Sequence, residues 1–208
     1  MPAIMPAILP RPAPTRTASR NPHMTVLFMS DQTRVPDWRG ALLGGRASGL
    51  ILRDYDAPDR AAMAHEMRAF CRRHGLSFAV AGDARLAQAC GARFHCPSYL
   101  LGLPAQRLGR ARADDSAAVH HARDMLVARR AGFQNILIAP AFATRSHPGA
   151  SGLGVLRMQQ LARQARALGL RPLALGGMDA AHWQRLTGTG PSLFAGYAAI
   201  DAFATARG

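Results

Sequence analysis

Short apolar runs alternate with longer amphipathic stretches along most of the chain. From Met24 onward, runs of aliphatic and β-branched residues are followed by Ala-, Arg- and Leu-rich stretches in which apolar residues recur every three or four positions. This alternation is typical of a parallel sheet whose strands are joined by helices. The pattern predicts strands at Thr25–Met29, Gly49–Arg53, Ser77–Ala81, Ala92–Cys96, Leu108–Ala113, Asn135–Ala139, Pro172–Leu175 and Leu193–Ala198. It predicts helices at about 37–44, 57–74, 83–90, 115–131, 153–168, 179–187 and 199–206.

Eight strands in regular alternation with helices favour a compact (β/α)8 TIM barrel. The barrel takes up residues 24–208 as a single domain, which is short for this fold. An open α/β sheet of five or six strands is the alternative that the same pattern allows. In a barrel, functional side chains belong at the carboxyl ends of the strands, where the loops form the binding sites.

Residues 1–23 differ in composition from the rest of the chain. They contain six prolines and three arginines but no acidic residue. Proline at this density opposes both helices and central strands, so the segment is predicted to be a disordered tail. A signal peptide is not indicated, because the segment lacks a continuous apolar stretch of the required length. Since Met24 begins the first strand pattern, translation starting at that methionine is an alternative.

Composition places the chain among ordinary globular proteins. Of its 208 residues, 49% are hydrophobic and 18% are charged, and the mean hydropathy is −0.04. No apolar run approaches the roughly 20 residues that a membrane helix needs. Cys71, Cys90 and Cys96 have neither the number nor the spacing of a disulfide framework or a zinc site. These features predict a cytoplasmic protein without a membrane segment, and they leave the oligomeric state open.

The basic residues are all arginines. The chain has 26 of them against 12 acidic residues, a formal net charge of +14, and no lysine. Schiff-base chemistry on a lysine and a P-loop lysine are therefore excluded. The arginines are spread over the predicted outer helices, and three tyrosines and two tryptophans offer few rings for stacking on bases. This distribution favours a solvated basic surface over nucleic-acid binding.

Polar residues that follow the predicted strands are the candidate site residues. Asp83, Asp115 and Asp179 precede or begin predicted helices, where a carboxylate either caps the helix or serves a ligand site. His95, at the end of the fourth predicted strand, is either a structural histidine or a base. The candidates are Ser30 and Asp31, Arg53 to Tyr55, Gly82 and Asp83, His95, Asp114 and Asp115, Thr144 to His147, Gly176 and Gly177, and Gly196 and Tyr197.

Two segments carry the strongest chemical signal. Gly176 and Gly177 end the seventh predicted strand and precede a helix, so bare backbone amides and a helix N-terminus can face an anion there. Together with Gly196 in the eighth strand, they predict a phosphate cradle. The loop that starts at Thr144 brings two hydroxyls, a guanidinium and an imidazole together within four residues, which suits an oxygen-rich anion. The length of this loop, up to Gly154, favours a functional loop over a simple linker.

The loops after strands six to eight contain a distinctive set of motifs. Residues 140–149 read PAFATRSHPG, residues 152–154 read GLG, residues 174–178 read ALGGM and residues 195–199 read AGYAA. In order and spacing, this set resembles thiamine phosphate synthase and its relatives, the thiazole tautomerases. Weaker matches around Arg53, Asp83, His95 and His120 extend the resemblance over nearly all of residues 24–206.

The resemblance implies a (β/α)8 barrel, a role in thiamine biosynthesis and a defined set of site residues. The family enzyme couples a thiazole phosphate to a pyrimidine pyrophosphate that is held by Mg²⁺ and basic residues. By position, the resemblance makes Asp83 a Mg²⁺ ligand and makes Arg53, Asp83 and His120 catalytic. The residues that it implies for binding of the phosphorylated substrate are Thr144, Arg145, Ser146, His147, Gly176, Gly177, Gly196 and Tyr197.

The sequence departs from the family pattern in the half of the site that would hold the pyrophosphate. A glutamine and a lysine of the family are Ile51 and Tyr55 here, an asparagine is Gly82, the second acidic Mg²⁺ ligand falls on Leu100, and a fifth-strand serine falls on Ala118. The tautomerase histidine on strand six is Pro140. Two functions therefore stay open: a divergent thiamine phosphate synthase with remodelled arginine contacts, and a non-catalytic phosphate-ligand binding protein that kept the cradle.

Overall fold

Eight parallel strands close into a barrel. The computed structural model describes residues 24–44, 47–103, 111–145, 149, 151–189 and 191–204, so the predicted tail at 1–23 lies outside the described residues. The strands are β1 Thr25–Met29, β2 Gly49–Leu52, β3 Ser77–Ala81, β4 Arg93–Cys96, β5 Ser116–Val119, β6 Asn135–Ile138, β7 Arg171–Leu175 and β8 Gly196–Ala199. Each strand pairs with its neighbours in chain order, and β8 pairs with β1.

This closure confirms the predicted (β/α)8 barrel and excludes the open sheet. In the closing pair, Thr25 to Phe28 of β1 align with Gly196 to Ala199 of β8. All eight pairings are parallel, so every carboxyl end lies at the same end of the barrel. Loops from distant parts of the chain therefore meet there.

Helices follow most of the strands and cover the sheet. In the second helix, Met63, Met67 and Phe70 recur at helical spacing and are buried, which explains why this stretch packs as an amphipathic helix. The helices are α1 Trp38–Gly44, α2 Arg60–Arg73, α3 Ala84–Ala89, α4 Ala122–Arg130, α5 Gly154–Ala167 and α6 Ala180–Thr187. Two short 3-10 helices, η1 Ser98–Leu100 and η2 Asp201–Phe203, follow β4 and β8.

Strand side chains alternate between the barrel interior and the layer under the helices. Leu27, Ile51, Leu137 and Leu173 line a common space inside the barrel. Intervening residues such as Leu52 and Ile138 are fully buried in the hydrophobic core that the helices cover. Because both sides are covered, the strands read as nearly continuous apolar runs, which is why most of them were predictable.

The fifth strand lies later in the chain than predicted. The prediction of a strand at Leu108–Ala113 followed by a helix from 115 is wrong, since β5 runs from Ser116 to Val119 and α4 begins at Ala122; residues 104–110 lie outside the described part. The strand reads Ser-Ala-Ala-Val, and alanine favours helices until burial between neighbouring strands overrides that preference. Asp114 and Asp115 therefore precede a strand. Buried Asp115 accepts hydrogen bonds from the amides of Phe94 (2.8 Å) and Arg112 (2.9 Å) instead of capping a helix.

The eighth strand also differs from its prediction. The expected strand Leu193–Ala198 is instead Gly196–Ala199, and the expected helix at 199–206 is the 3-10 helix Asp201–Phe203 within the described residues. The shift moves Gly196 to the amino end of the strand, where it pairs with Thr25. The carboxyl end of β8 is formed by Ala199 and the residues after it.

The described helices and cysteines have simple properties. None of the helices in the described ranges combines the length and apolar character needed to cross a membrane. Cys71, Cys90 and Cys96 are free thiols, and burial raises the pKa of Cys71 and of Cys96 to about 12. These two cysteines are therefore protonated packing residues at neutral pH.

Candidate functional site

The carboxyl ends of the strands surround a cavity of about 590 Å³. This size is typical of sites that enclose a small organic ligand. Of the predicted site residues, the cavity is lined by Arg53, His120, Thr144, Arg145, Gly176 and Gly177. Asp83, Gly196 and Tyr197 are not among the lining residues, and Ser146 and His147 lie outside the described residues.

Three arginines and two aspartates form a continuous charged chain at this cavity. We call Arg53, Asp31, Arg34, Asp201 and Arg145 the arginine network. Arg53 Nη2 lies 3.3 Å from Asp31 Oδ2, and Arg34 Nη1 lies 3.8 Å from the same oxygen. Arg34 donates two hydrogen bonds to the Asp201 carboxylate, and Arg145 Nη1 lies 3.7 Å from Asp201 Oδ1. The three positive charges outnumber the two negative ones, so the network favours an anionic ligand.

Arg53 is positioned by the end of β1. Its backbone amide donates to Ser30 Oγ at 2.8 Å, and the Ser30 hydroxyl donates in turn to Asp54. The Nε of Arg53 is buried and has no hydrogen-bond partner among the described residues. A buried donor without a partner costs stability, so its presence calls for a reason other than folding.

Asp31 is a charged partner of the arginines. Burial raises the pKa of Asp31, but hydrogen bonds from the Thr33 hydroxyl and the Arg34 amide, together with the charges of Arg53 and Arg34, outweigh burial and leave the pKa below its ordinary value. The carboxylate is therefore ionised at neutral pH. The Asp31 carboxylate holds Arg34 and Arg53 near each other at the carboxyl ends of β1 and β2.

His95 of β4 lies at the base of the cavity. Its Nδ1 is 2.9 Å from Ser116 Oγ on the neighbouring strand β5. Complete burial lowers the pKa of His95 to about 4, so the imidazole is neutral at pH 7. A neutral ring in this position can donate or accept a hydrogen bond but does not add positive charge to the site.

His120 and Ser98 form a hydrogen-bonded pair in the cavity wall. Nδ1 of His120 is 2.8 Å from the Ala139 carbonyl oxygen, and Nε2 is 3.1 Å from Ser98 Oγ. Because a carbonyl only accepts, we assign the proton to Nδ1, and Nε2 then accepts from the Ser98 hydroxyl. The predicted residue His120 is therefore an oriented base next to a hydroxyl, both lining the cavity.

Gly176 and Gly177 allow the loop after β6 to approach β7 closely. Both have positive φ angles, +95° and +62°. A Cβ on Gly176 would lie 2.9 Å from Pro140 Cα, and a Cβ on Gly177 would overlap the Ala143 carbonyl oxygen. The amide of Phe142 donates to the Gly176 carbonyl oxygen at 3.0 Å. These glycines line the cavity, and loop packing alone already requires them to be glycine.

Gly196 and Tyr197 lie elsewhere. Gly196 sits at the amino end of β8, where a Cβ would overlap the Thr25 carbonyl oxygen. The Tyr197 ring packs on Trp183 of α6, with 5.5 Å between ring centroids. The prediction that Gly196 completes a cradle with Gly177 is therefore wrong, because the strand starts at this glycine and runs away from it toward the cavity.

Asp83 and Asp179 both cap helices. Asp83 Oδ1 accepts from the Leu86 amide at 2.9 Å, and Asp179 Oδ1 accepts from the His182 amide at 2.7 Å. Asp179 also lines the cavity, whereas Asp83 does not. The cap alternative holds for both residues.

The donor set around Asp83 does not suit Mg²⁺. This ion prefers several oxygen ligands in octahedral geometry. One carboxylate oxygen of Asp83 already accepts a hydrogen bond from its helix, and Leu100 is apolar. The described ranges contain no group of three or more His, Cys, Asp or Glu residues arranged for a metal. Mg²⁺ on Asp83 stays a prediction from the resemblance.

Sequence reasoning missed Arg34 and Asp201. They lie 167 positions apart and meet only because β1 and β8 are neighbours in the closed barrel. Ser30 and Asp31 at the end of β1 were recognised as candidates, so the adjacent Arg34 carried a usable signal. Asp201 carried no such signal, because the eighth strand was predicted too early in the chain.

The closed parallel barrel defines a (β/α)8 protein, and glycine turns and guanidinium groups line a cavity at the carboxyl ends of its strands. The sequence model of the thiamine monophosphate synthase family matches residues 26–200. The chain therefore belongs to this family, which confirms the resemblance seen in its motifs. A comparison with curated proteins found no match.

Solved structures share the barrel. A thiamine phosphate pyrophosphorylase from Pyrococcus furiosus matches with a TM-score of 0.72 and 21% identity, covering 88% of this chain and 89% of that chain. A 2-keto-3-deoxy-6-phospho-gluconate aldolase from Zymomonas mobilis matches at 0.57 and 20%, covering 85% and 82%. A 3-keto-L-gulonate-6-phosphate decarboxylase from Vibrio cholerae matches at 0.59 and 14%, covering 88% and 91%. At these identities, the likenesses show a common fold.

Proposed function

We propose that this protein binds a thiazole phosphate in the cavity and acts as a divergent thiamine phosphate synthase. The observation that carries the proposal is the arginine network, which brings three guanidinium groups from the loops after β1, β2 and β6 to one cavity. Membership of the thiamine monophosphate synthase family supports the choice of ligand. Guanidinium groups suit the role, since each presents a planar fork of donors to two phosphate oxygens.

The phosphate would replace water and carboxylate partners on the network. Arg145 is 79% exposed and can turn toward a ligand, while Arg34 and Arg53 are more firmly held by their aspartates. Because the chain has no lysine, the charge of a phosphorylated ligand must be met by arginines, histidines, backbone amides, hydroxyls or a metal ion. Thr144, in the loop after β6, lines the same cavity and would supply a hydroxyl.

Coupling would begin when the C–O bond to pyrophosphate breaks and pyrophosphate leaves with the electron pair. The pyrimidine-methyl cation that remains would then be trapped by the lone pair of the thiazole ring nitrogen, which forms the new C–N bond. Charge on the leaving group must be stabilised by groups already in place, and loss of one such contact commonly costs a factor of about 100 to 1000 in rate.

A non-catalytic binding protein is the second candidate, and three residues of the pyrophosphate half of the site favour it. Asp83 serves as a helix cap outside the cavity lining, and Leu100 and Ala118 replace polar residues of the family pattern. A protein with this site would still bind the phosphorylated ligand through the arginine network. Such a protein would release the ligand chemically unchanged.

One experiment separates the two candidates. The purified full-length protein is incubated with thiazole phosphate and pyrimidine pyrophosphate, with and without Mg²⁺, and thiamine phosphate is measured by mass spectrometry. Calorimetry with thiazole phosphate alone is run in parallel. Binding with product supports the synthase, binding without product supports the binding protein, and no binding contradicts both.

A further inference from the structure

Two tyrosines line the cavity on the side of Arg53, the member of the arginine network that follows β2. Tyr55 follows β2 and Tyr99 lies on η1 after β4, and both line the cavity. Tyr55 is 42% exposed and Tyr99 is 67% exposed, although large aromatic side chains usually bury most of their surface. Exposed rings facing into a cavity are available for contact with a ligand.

The Tyr55 ring is held by a fixed cation. The Arg60 guanidinium lies 5.7 Å from the ring centroid, within the range of a cation–π contact. Arg60 is itself anchored by backbone carbonyl oxygens, donating to Asp54 at 2.8 Å and to Ala81 at 2.5 Å. Its charge is therefore committed to the ends of β2 and β3. Tyr55 is a positioned ring rather than a freely rotating surface side chain.

Gly82 lets the two tyrosines come together. It has a φ of +76°, and a Cβ there would lie 3.0 Å from Tyr55 Cε1 and 3.3 Å from the Tyr99 hydroxyl oxygen. A larger side chain, including the asparagine of the family pattern, would crowd the Tyr55 ring and the Tyr99 hydroxyl. Gly82 and Tyr55 are thus matched departures, because the missing side chain makes room for the ring that replaces a lysine.

We propose that Tyr55 and Tyr99 form the binding surface for an uncharged planar ring, which is the far end of a ligand whose phosphate is bound by the arginine network. The proposal rests on the proposed function for the phosphate end. In the loops after β2 and β4, the ligand would be recognised by stacking on aromatic rings. In the family pattern, a lysine and an acidic pair would recognise charge there instead. The ligand class is a monophosphate with a planar heteroaromatic ring at its opposite end.

The cavity lining therefore offers two kinds of contact. The network offers guanidinium groups from the loops after β1, β2 and β6, whereas Tyr55 after β2 and Tyr99 after β4 offer aromatic rings. Burial and the neighbouring Tyr99 raise the pKa of Tyr55, so its hydroxyl is neutral at physiological pH. Neutral aromatic rings do not attract pyrophosphate, but they do stack on a flat ring. Loss of either tyrosine ring should therefore lower the affinity for such a ligand about tenfold or more.

The test measures affinities by calorimetry for four probes: inorganic phosphate, inorganic pyrophosphate, thiazole phosphate and thiamine monophosphate. Tyr55→Ala and Tyr99→Ala should each weaken binding of thiamine monophosphate about tenfold and leave binding of inorganic phosphate unchanged. Tyr55→Phe should keep the wild-type affinity, because it keeps the ring. Tyr55→Lys should lose affinity for thiamine monophosphate and gain affinity for inorganic pyrophosphate.

Leu156→Ala, which truncates an 83% exposed apolar side chain on α5, is the matched control and should change nothing. Equal thiamine monophosphate affinities for wild type, Tyr55→Ala and Tyr99→Ala would overturn the ring proposal while leaving phosphate binding intact. Failure of the wild-type protein to bind thiazole phosphate would instead overturn the proposed function, and the ring proposal with it. Melting curves of each variant separate loss of fold from loss of a contact.

Discussion

Replacing Asp201 by Asn should strengthen binding of a phosphorylated ligand. Asp201 accepts two hydrogen bonds from Arg34 and lies 3.7 Å from Arg145, so its carboxylate already satisfies part of the cationic surface that a phosphate would use. A bound phosphate must share these arginines with a like charge. Asparagine keeps the size of the side chain and removes that charge.

The gain follows from the charges of the network. A phosphate on Arg34 would lie on the order of 6 Å from the Asp201 carboxylate, where two unit charges repel by roughly 0.7 kcal/mol in water and about 3 kcal/mol at an effective dielectric constant of 20. Asp201 is 41% exposed, which places the effect between these limits. Looser positioning of Arg34 offsets part of the gain, leaving about 1.4 kcal/mol, or a tenfold lower Kd.

The assay is calorimetric titration of wild type, Asp201→Asn and Asp201→Glu with thiazole phosphate at low salt. Asp201→Glu keeps the charge and should bind like the wild type. The advantage of Asp201→Asn should shrink at about 0.5 M salt, because exposed charges are screened. Unchanged or weaker binding by Asp201→Asn at low salt would refute the view that this carboxylate competes with the ligand.

Three further variants test other parts of the structure. Arg53→Ala should weaken binding of thiazole phosphate by about 1.5–3 kcal/mol, whereas Arg163→Ala on the outer face of α5 should have no effect; equal affinities would show that the arginine network is not the phosphate site. Burial lowers the pKa of His95 to about 4, so between pH 6.5 and 4 the imidazole is protonated in the unfolded chain but not in the folded one. The contribution of His95 to the free energy of unfolding is therefore fully present above pH 6.5 and falls by on the order of 3 kcal/mol toward pH 4. Urea unfolding of His95→Asn should lack this part of the pH dependence. Gly177→Ala should lower the free energy of unfolding by about 1–3 kcal/mol more than Gly75→Ala, because both have positive φ but only Gly177 would meet a neighbouring carbonyl oxygen; similar losses in urea unfolding would show that the loop yields easily.

Strands with strong apolar character were predictable from the sequence, and β5 shows where that signal ends. Phe28, Leu52 and Ile138 lie in runs that only a doubly covered sheet explains. The segment Ser116–Val119 has two alanines at its centre, and only its neighbours β4 and β6 make it a strand. Local preference does not contain that information, so the strand was placed too early.

The candidate site divides in the same way. Arg53, His120 and Gly177 follow strands within their own segments, and the structure brings them to one cavity as expected. Gly196 was expected to help form the cradle from a strand predicted at Leu193–Ala198, but the strand starts at Gly196, so this glycine lies at the amino end, away from the cavity. The pairing of Arg34 with Asp201 depends on barrel closure, which no local pattern encodes.

The contact between Arg34 and Asp201 also ties the beginning of the folded chain to its end. Arg34 follows β1, and Asp201 begins the 3-10 helix after β8. A ligand phosphate that takes over Arg34 would release this last helix from the first loop. Filling of the cavity would then be transmitted to the C-terminal segment as local loosening, and faster amide hydrogen exchange at residues 201–204 would report it while the sheet stays unchanged.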